Sequence, residues 1–369
     1  MGDNMLKRFF TVMLCVVFTV VTVFPVCGEE IKNTPDKPEI SAESAVLYCV
    51  NDGKVYFSKD ENKKMKNAST TKILTALITL EEAQKENKQV KFTEEMSAEG
   101  SSMYLEIGDT VTLRNLAAGM LTCSGNDAAN AAAIAICGSL DKFADIMNLR
   151  ASQLGMKNTH FVTPSGLDDE NHYSTAYDLA LLMAFALENK DFAEITSKKS
   201  LRVDFINPPD KSLTYSNHNR LLSLYEYCIG GKTGYTLSAG RCLVSAAEKD
   251  GLRFICVTLN DKNDWKDHQS VYEYGFNSYS LCACDDTSFF LEVPVVGGTD
   301  DRVTVGSDRK YGIVLRKEDA QKVKREVYLD NFLYAPVKYG DYAGKVVYTL
   351  NNEKIAETPL SAMTYSNKK

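Results

Sequence analysis

The sequence predicts an α/β fold in which helices flank an antiparallel sheet, followed by a small all-β domain. Two apolar runs between residues 45 and 57 flank the turn Asn51-Asp52-Gly53, which predicts a β-hairpin. Residues 241–246 and 254–259 are continuous apolar runs, typical of buried strands. After residue 286, short alternating segments are separated by turns, which indicates a second domain made of strands.

Composition limits the classes of protein to which the chain can belong. Its 369 residues are enough for two domains, and 44% hydrophobic with 25% charged residues is typical of a globular protein that buries a core. The formal net charge of −7 argues against a nucleic-acid partner, because binding to phosphates requires an excess of basic residues.

The N-terminus has the pattern of an export signal. Two basic residues precede the uncharged run of residues 9–24, and small residues follow up to Gly28. We therefore expect residues 1–28 to be a signal peptide cleaved after Gly28. An uncleaved anchor is the alternative, although the run is short for a bilayer span. Residues 29–40 form a charged lead-in, and the remaining chain is expected outside the cytoplasm.

Ser69 lies where an apolar helical period begins, with Ile73, Leu74 and Leu77 following at helical spacing. Lys72 is three residues further on, so one helical turn places its amine beside the Ser69 hydroxyl. A lysine whose pKa is lowered by burial can remove the serine proton. The pair therefore predicts a nucleophile and its base at the start of a helix.

The same serine-to-lysine spacing also occurs at three places with an ordinary structural explanation. Ser139 is expected to cap a helix that ends near Gly155, Ser307 lies in a turn, and Ser366 lies in a polar tail. The spacing alone is therefore weak evidence of catalysis.

Ser124 and Asn126 are predicted to lie in a tight corner between two helices. Thr112 is expected to cap the first of these helices, and an alanine-rich second helix begins near Ala128. A serine there can relay a proton and an asparagine can bind a peptide group. Capping of the second helix is an equally good explanation when this corner is considered alone.

Lys232, Thr233 and Gly234 are predicted to lie on a strand that borders a cleft. The lysine and threonine can bind a substrate carboxylate, and the glycine allows a substrate backbone to approach. A surface lysine next to a glycine turn is the alternative. The polar loop of residues 163–171 can shape a cleft, but its acidic residues and His172 are expected to lie on the surface.

Eight of the ten cysteines lie beyond residue 28. Several, such as Cys49, Cys242 and Cys256, occur inside apolar runs, which predicts buried structural thiols. Cys282 and Cys284 are two residues apart and match no metal-binding spacing. We therefore expect no metal site.

The three motifs occur together in one order, and in that order they resemble a known family. Ser69-Thr70-Thr71-Lys72, Ser124-Gly125-Asn126 and Lys232-Thr233-Gly234 are similar to the serine-type D-alanyl-D-alanine carboxypeptidases, the low-molecular-mass penicillin-binding proteins. Residues 158–176 and 217–222 are also similar to that family. The resemblance covers roughly residues 40–360.

The resemblance implies a fold and an activity. The fold is that of the serine β-lactamases and DD-peptidases, with a catalytic domain in residues 41–284 and a β-rich C-terminal domain in residues 288–362. The activity is removal of the terminal D-alanine from a peptidoglycan stem peptide ending in D-Ala-D-Ala, through an acyl-enzyme on Ser69. β-Lactams should act as covalent inhibitors, and no metal or cofactor is implied.

The resemblance also implies a role for each site residue. Lys72 is the base, Ser124 relays protons and Asn126 orients the substrate. Lys232 and Thr233, on the strand with Gly234, hold the terminal carboxylate. The backbone N–H groups of Ser69 and Tyr235 bind the oxyanion.

Three questions stay open from sequence alone. Members of the family commonly end in an amphipathic membrane helix, and this chain stops at Lys369 without one, so membrane association is uncertain. A β-lactamase would need an efficient deacylating group, for which Glu170 is the only candidate near the right place. A cell-wall-binding module that has lost catalysis is a further alternative.

Overall fold

A computed structural model describes residues 36–369. The predicted signal peptide and most of the lead-in therefore lie outside the described residues. The described chain divides into two compact units. The larger contains residues 36–281 and 314–317, and the smaller contains residues 282–313 and 318–369.

The larger unit is an antiparallel sheet with helices. Its strands are β1 (Ser44–Cys49), β2 (Lys54–Lys59), β3 (Gln89–Lys91), β4 (Thr110–Thr112), β5 (Ser200–Asp204), β6 (Ser212–Ser216), β7 (Cys228–Thr236), β8 (Gly240–Lys249) and β9 (Leu252–Leu259). Its helices are α1 (Lys72–Lys85), α2 (Leu113–Thr122), α3 (Asn126–Cys137), α4 (Leu140–Gln153), α5 (Ala176–Ala186), α6 (Lys190–Ser197), α7 (Leu221–Leu224) and α8 (Asp264–Ser278). The main sheet has the order β2-β1-β9-β8-β7, which leaves β7 at one edge.

The predicted hairpin and buried strands are confirmed. β1 and β2 pair antiparallel around the turn Asn51-Asp52-Gly53, where Gly53 adopts a φ of +70° that a residue with a Cβ rarely accepts. The two apolar runs are β8 and β9, which pair along almost their full length. Their side chains are nearly all buried because both faces of the sheet are covered.

The helices that flank the sheet begin close to the predicted positions. A 3₁₀ turn, Ala68–Thr71, leads directly into α1, so Ser69 lies one turn before the α-helix proper. The Thr112 hydroxyl accepts a hydrogen bond of 3.2 Å from the backbone N–H of Asn115 and caps α2 as expected. The Ser139 hydroxyl likewise accepts from the N–H of Lys142 at 3.3 Å, which confirms its ordinary capping role.

The smaller unit is built almost entirely of strands, as predicted. The remaining elements of the chain are β10 (Tyr279–Asp285), β11 (Phe290–Val296), β12 (Arg302–Gly306), β13 (Lys310–Arg316), α9 (Lys317–Ala320), β14 (Lys324–Leu329), β15 (Leu333–Tyr334), β16 (Tyr342–Leu350) and β17 (Glu353–Ala362). Six of the strands form a sheet of order β14-β16-β17-β12-β11-β15. In its interior Asp286 accepts hydrogen bonds from Arg325 at 2.8 Å and from Tyr348 at 3.0 Å, so the buried carboxylate is paired.

Two further features of the described residues are the state of their cysteine thiols and the length and apolarity of their helices. The eight cysteines in residues 36–369 are free thiols, and burial raises the pKa of Cys49 and of Cys242 to about 12, so neither thiol ionises readily. None of the helices described in residues 36–369 has the length and apolarity needed to cross a membrane.

Candidate active site

Ser69 and Lys72 lie side by side, as their spacing predicts. Lys72 Nζ is 2.9 Å from Ser69 Oγ, and the lysine side chain is fully buried. Nζ also donates to two carbonyl oxygens, Asn126 Oδ1 at 2.6 Å and the backbone oxygen of Ser165 at 2.5 Å. The amine is therefore held in one position, with the serine hydroxyl as its third neighbour.

The environment of Lys72 favours the uncharged amine. Burial lowers the pKa of Lys72 well below its ordinary value of 10.5, and the positive charge of Lys232 lowers it further. Hydrogen bonds from Nζ to neutral carbonyls do not offset the loss of water around an ammonium. The side chain therefore has the electrostatics of a base.

The corner between α2 and α3 brings Ser124 and Asn126 to the same place. Ser124 has a φ of +62°, a strained value for a residue with a side chain, and its Oγ accepts a hydrogen bond of 3.0 Å from Lys232 Nζ. The Asn126 amide bonds Lys72 through its oxygen and donates to the Glu99 carbonyl at 2.6 Å. Asn126 makes no capping bond in α3, so the capping alternative is wrong for this side chain.

Lys232 faces the same interior from the edge strand β7. It is 1% exposed and also donates to the carbonyl of Thr233 at 2.7 Å, which excludes the alternative of a surface lysine. Burial lowers the pKa of Lys232 to about 7. The two lysines meet around Ser124 and Asn126, although 160 positions separate them in the sequence.

Gly234 allows β7 to lie against the start of α1. A Cβ at this position would be 3.0 Å from both the Asn67 carbonyl and the Ser69 amide nitrogen. The backbone on either side of the cleft can therefore approach closely only because residue 234 has no side chain. The next residue, Tyr235, is 63% exposed at the cleft.

The loop of residues 163–171 forms part of this site. Its carbonyl at Ser165 holds Lys72, and the Asp168 carboxylate accepts a hydrogen bond of 3.0 Å from Thr236 just after the β7 motif. The expectation that His172 lies on the surface is wrong. Its imidazole is buried and lies 2.8 Å from the Thr71 hydroxyl, and burial lowers its pKa to about 4.

The predicted residues border one cleft with a volume of about 560 Å³. Its lining includes five of them, Ser69, Ser124, Thr233, Gly234 and Tyr235. The other three, Lys72, Asn126 and Lys232, are buried directly behind that lining.

The cleft is also lined by five residues for which the sequence analysis predicts no role, Ser101, His218, Arg241, Asp264 and Trp265. His218 lies in the segment 217–222 noted for its resemblance, and burial together with the Lys232 charge lowers its pKa below 6.5. Trp265 is the only tryptophan of the chain, and this rarity is the sequence feature from which a role for it could have been predicted. Glu170 is exposed and does not line the cleft.

Comparison with known families agrees with this geometry. Residues 31–263 match the Peptidase S11 family model, described as D-alanyl-D-alanine carboxypeptidase. The chain belongs to this family. Residues 276–366 match a second family model, the C-terminal domain of penicillin-binding protein 5.

Individual relatives cover nearly the whole chain. D-alanyl-D-alanine carboxypeptidase DacF of Bacillus subtilis is 33% identical over 336 residues, which are 87% of this chain and 85% of the relative. DacA of Escherichia coli is 29% identical over 344 residues, 88% of this chain and 84% of the relative. These proteins thus share both units with the chain.

Solved structures show the same fold. Penicillin-binding protein 5 of Haemophilus influenzae superposes with a TM-score of 0.69 at 29% identity, covering 90% of this chain and 100% of that one. DacD of Francisella tularensis gives 0.68 at 28% identity, covering 93% and 98%. The predicted fold, family and enzyme class are therefore confirmed.

Proposed function

We propose that the protein removes the terminal D-alanine of peptidoglycan stem peptides through an acyl-enzyme on Ser69. One observation carries this proposal: among the described residues, Lys72 Nζ forms hydrogen-bond contacts with two carbonyl oxygens and the Ser69 hydroxyl, and with no carboxylate. A neutral amine has two N–H bonds and one lone pair. With both N–H groups donated to Asn126 and Ser165, the lone pair is left to accept the Ser69 proton.

In the acylation step, Ser69 Oγ attacks the carbonyl of the penultimate D-alanine while its proton moves to Lys72. The charge on the substrate oxygen is bound by two backbone N–H groups: that of Ser69, which lies close to Gly234, and that of Tyr235, the next residue along β7. The C–N bond then breaks, and the departing amine of the terminal D-alanine takes, through Ser124, the proton that Lys72 received from Ser69. Water attacks the ester and releases the shortened peptide, restoring Ser69 and neutral Lys72.

The terminal carboxylate is held by Lys232 and Thr233. The Lys232 amine has a pKa of about 7, so an arriving carboxylate favours its charged form and gains a charge-assisted hydrogen bond. The contact between Lys232 and Ser124 links carboxylate binding to the proton relay. Asn126, fixed between Lys72 and Glu99, orients the substrate amide beside the nucleophile.

The assignment extends to the arrangement of the whole chain. Residues 41–284 form the catalytic domain and residues 288–362 the C-terminal domain. Residues 1–28 direct export, which places the enzyme with its substrate in the cell envelope or outside the cell. Membrane association is not required by this proposal. β-Lactams, which resemble the D-alanyl-D-alanine end, acylate Ser69 and remain bound.

The test is intact-protein mass spectrometry of residues 29–369 after brief exposure to benzylpenicillin, with Ser69→Ala as the matched variant. We expect an adduct that persists for minutes on the parent protein and is missing from the variant. An unmodified parent protein with intact drug would contradict the mechanism. An unmodified parent protein with consumed drug would indicate a β-lactamase instead.

A further inference from the structure

One end of the cleft is lined by three residues that the proposed mechanism does not use. Arg241 is the second residue of β8, and Asp264 and Trp265 are the first two residues of α8. Arg241 lies directly opposite Tyr235 in the register of β7 with β8. All three line the same cleft as Ser69.

The Arg241 guanidinium is fixed on two of its nitrogens. Nε donates to Asp264 at 3.1 Å, and Nη2 donates to both Asp264 oxygens at 2.7 and 2.9 Å. The guanidinium carbon also lies 5.7 Å from the centre of the Trp265 ring. Among the described residues, Nη1 donates to no acceptor. The side chain is 45% exposed, whereas Asp264 is 4% exposed. The arrangement is a pre-oriented donor that faces the cleft.

The course of the substrate determines what reaches this donor. If Thr233 and Lys232 hold the terminal carboxylate, and the Tyr235 N–H binds the reacting carbonyl, an extended peptide runs antiparallel to β7. The residue before the two D-alanines then passes beyond Tyr235, toward the end of β7. Arg241 and Trp265 are the side chains that line the cleft there.

The chemistry of this end selects among side chains. An indole ring provides an apolar surface for a methylene chain, and a guanidinium N–H pair binds a carboxylate and repels an ammonium. Asp264 is poorly placed to bind a cation as well, because it is buried and each of its oxygens already accepts two hydrogen bonds, three of the four from Arg241 and one from the Trp265 N–H. Two other charged groups lie close to the end of β7, the Asp168 carboxylate and the Lys66 amine. Both already form hydrogen bonds with the Ser238 hydroxyl.

We propose that Arg241, oriented by Asp264 and Trp265, binds a carboxylate at the end of the side chain that precedes the D-alanyl-D-alanine pair. This inference rests on the proposed function and adds a substrate preference to it. The preferred substrate carries a dicarboxylic diamino acid at that position. A peptide with lysine there, or with the side-chain carboxylate converted to an amide, is a poorer substrate.

The experiment measures kcat/KM for D-alanine release by the exported protein, residues 29–369. Three N-acylated tripeptides end in D-Ala-D-Ala and begin with meso-diaminopimelate, with its side-chain amide, or with lysine. We expect the parent protein to prefer the free carboxylate over the amide by about tenfold or more, the size of one charge-assisted hydrogen bond. Arg241→Gln should abolish the preference for the free carboxylate over the amide, and should raise kcat/KM for the lysine peptide relative to the carboxylate peptide, because the guanidinium no longer repels the ammonium.

Two variants serve as controls. Arg253→Gln removes a guanidinium paired with Glu248 elsewhere on the same sheet and should keep the parent preference. Arg241→Lys keeps the positive charge but lacks the planar set of N–H donors of a guanidinium, so it should retain only part of the preference. This variant provides a test if Arg241→Gln does not fold.

Equal kcat/KM for the carboxylate and amide peptides on the parent protein would overturn the inference without any variant. An Arg241→Gln effect of the same size on all three peptides would also overturn it, since that outcome indicates a structural role. Failure of the proposed function is distinct, because then none of the three peptides is cleaved and no penicillin adduct forms.

Discussion

Two buried lysines, Lys72 and Lys232, lie behind the lining of one cleft and differ in their contacts. Lys72 contacts Ser69 and two carbonyl oxygens, and its pKa lies well below 10.5. Lys232 contacts the Ser124 hydroxyl and one carbonyl, and its pKa is about 7. Burial lowers both pKa values, but only Lys72 has a second lysine's charge among the groups that depress its pKa.

The difference shows how one residue type supplies two functions in one site. Neither lysine has a carboxylate partner among its hydrogen bonds, so each is ready to exchange a proton or to receive an anion. The environment of Lys72 favours its neutral form beside a hydroxyl, which suits it to accept a proton. Lys232 lies near its midpoint at neutral pH, and a substrate carboxylate can shift it to the charged form.

The largest effect should come from removing the base. Lys72→Ala leaves Ser69 without a proton acceptor, so we expect acylation by benzylpenicillin to slow by about a thousandfold. Lys85→Ala, at the exposed end of the same helix, is the matched control and should acylate at the parent rate. The rate of adduct formation by mass spectrometry measures both. A Lys72→Ala protein that acylates within tenfold of the parent would assign the base elsewhere.

Removal of the second lysine should have a smaller effect that depends on the substrate. We expect Lys232→Ala to lower kcat/KM for a peptide ending in D-Ala-D-Ala by about a hundredfold, since a buried charge contact is lost. For the same peptide ending in D-alaninamide, which has no carboxylate, the variant and parent should be similar. Equal losses on both peptides would mean that Lys232 acts in the chemistry and not in carboxylate binding.

Substitution of Gly234 should have the next largest effect on acylation. Gly234 does not require a positive φ, so Gly234→Ala tests the close contact alone. The added methyl group would lie 3.0 Å from backbone atoms of Asn67 and Ser69, so these two backbone segments must separate by a few tenths of an ångström. We expect acylation to slow by about tenfold, because one oxyanion donor is displaced. Thermal melting of the variant should stay near that of the parent; a large drop would point to the fold and not to the oxyanion site.

The pH dependence should show the smallest change and the sharpest distinction between the lysines. Substrate binding needs charged Lys232, so kcat/KM should fall about fivefold between pH 7 and 8 as that amine loses its proton. Acylation needs neutral Lys72, so the rate should also fall on the acid side as Lys72 gains a proton. The D-alaninamide peptide should lack the fall above pH 7. A fall of equal size with that peptide would contradict the assignment of the alkaline limb to Lys232.

Local spacing explains which parts of the site could be predicted. Ser69 and Lys72 are one helical turn apart, and the turn at Gly53 depends on a few adjacent residues. The sequence could therefore predict both the serine–lysine pair and the hairpin. The Ser165 carbonyl reaches Lys72 across 93 positions, and Lys232 reaches Ser124 across 108. Contacts of that range depend on how the loops cross the sheet edge, which no local pattern encodes.

Two incorrect or missing predictions have the same physical origin. His172 follows a run of acidic residues, which is typical of a surface loop. That loop nevertheless folds back, so that the His172 imidazole is buried against the Thr71 hydroxyl. Arg241 begins a buried strand and gave no sign of its cleft position, because its partner Asp264 comes from a helix 23 positions later. Burial pattern predicts strands well but does not show which end of a strand opens to solvent.

The position of β7 at the edge of its sheet has a consequence for association with other chains. An edge strand with unpaired N–H and C=O groups is a template on which other chains can aggregate. Here the backbone before α1 lies against Gly234, so this part of the edge is covered by the chain itself. An edge that is covered in this way offers fewer free backbone groups to another chain. The close contact at Gly234 therefore also limits self-association at this part of the edge.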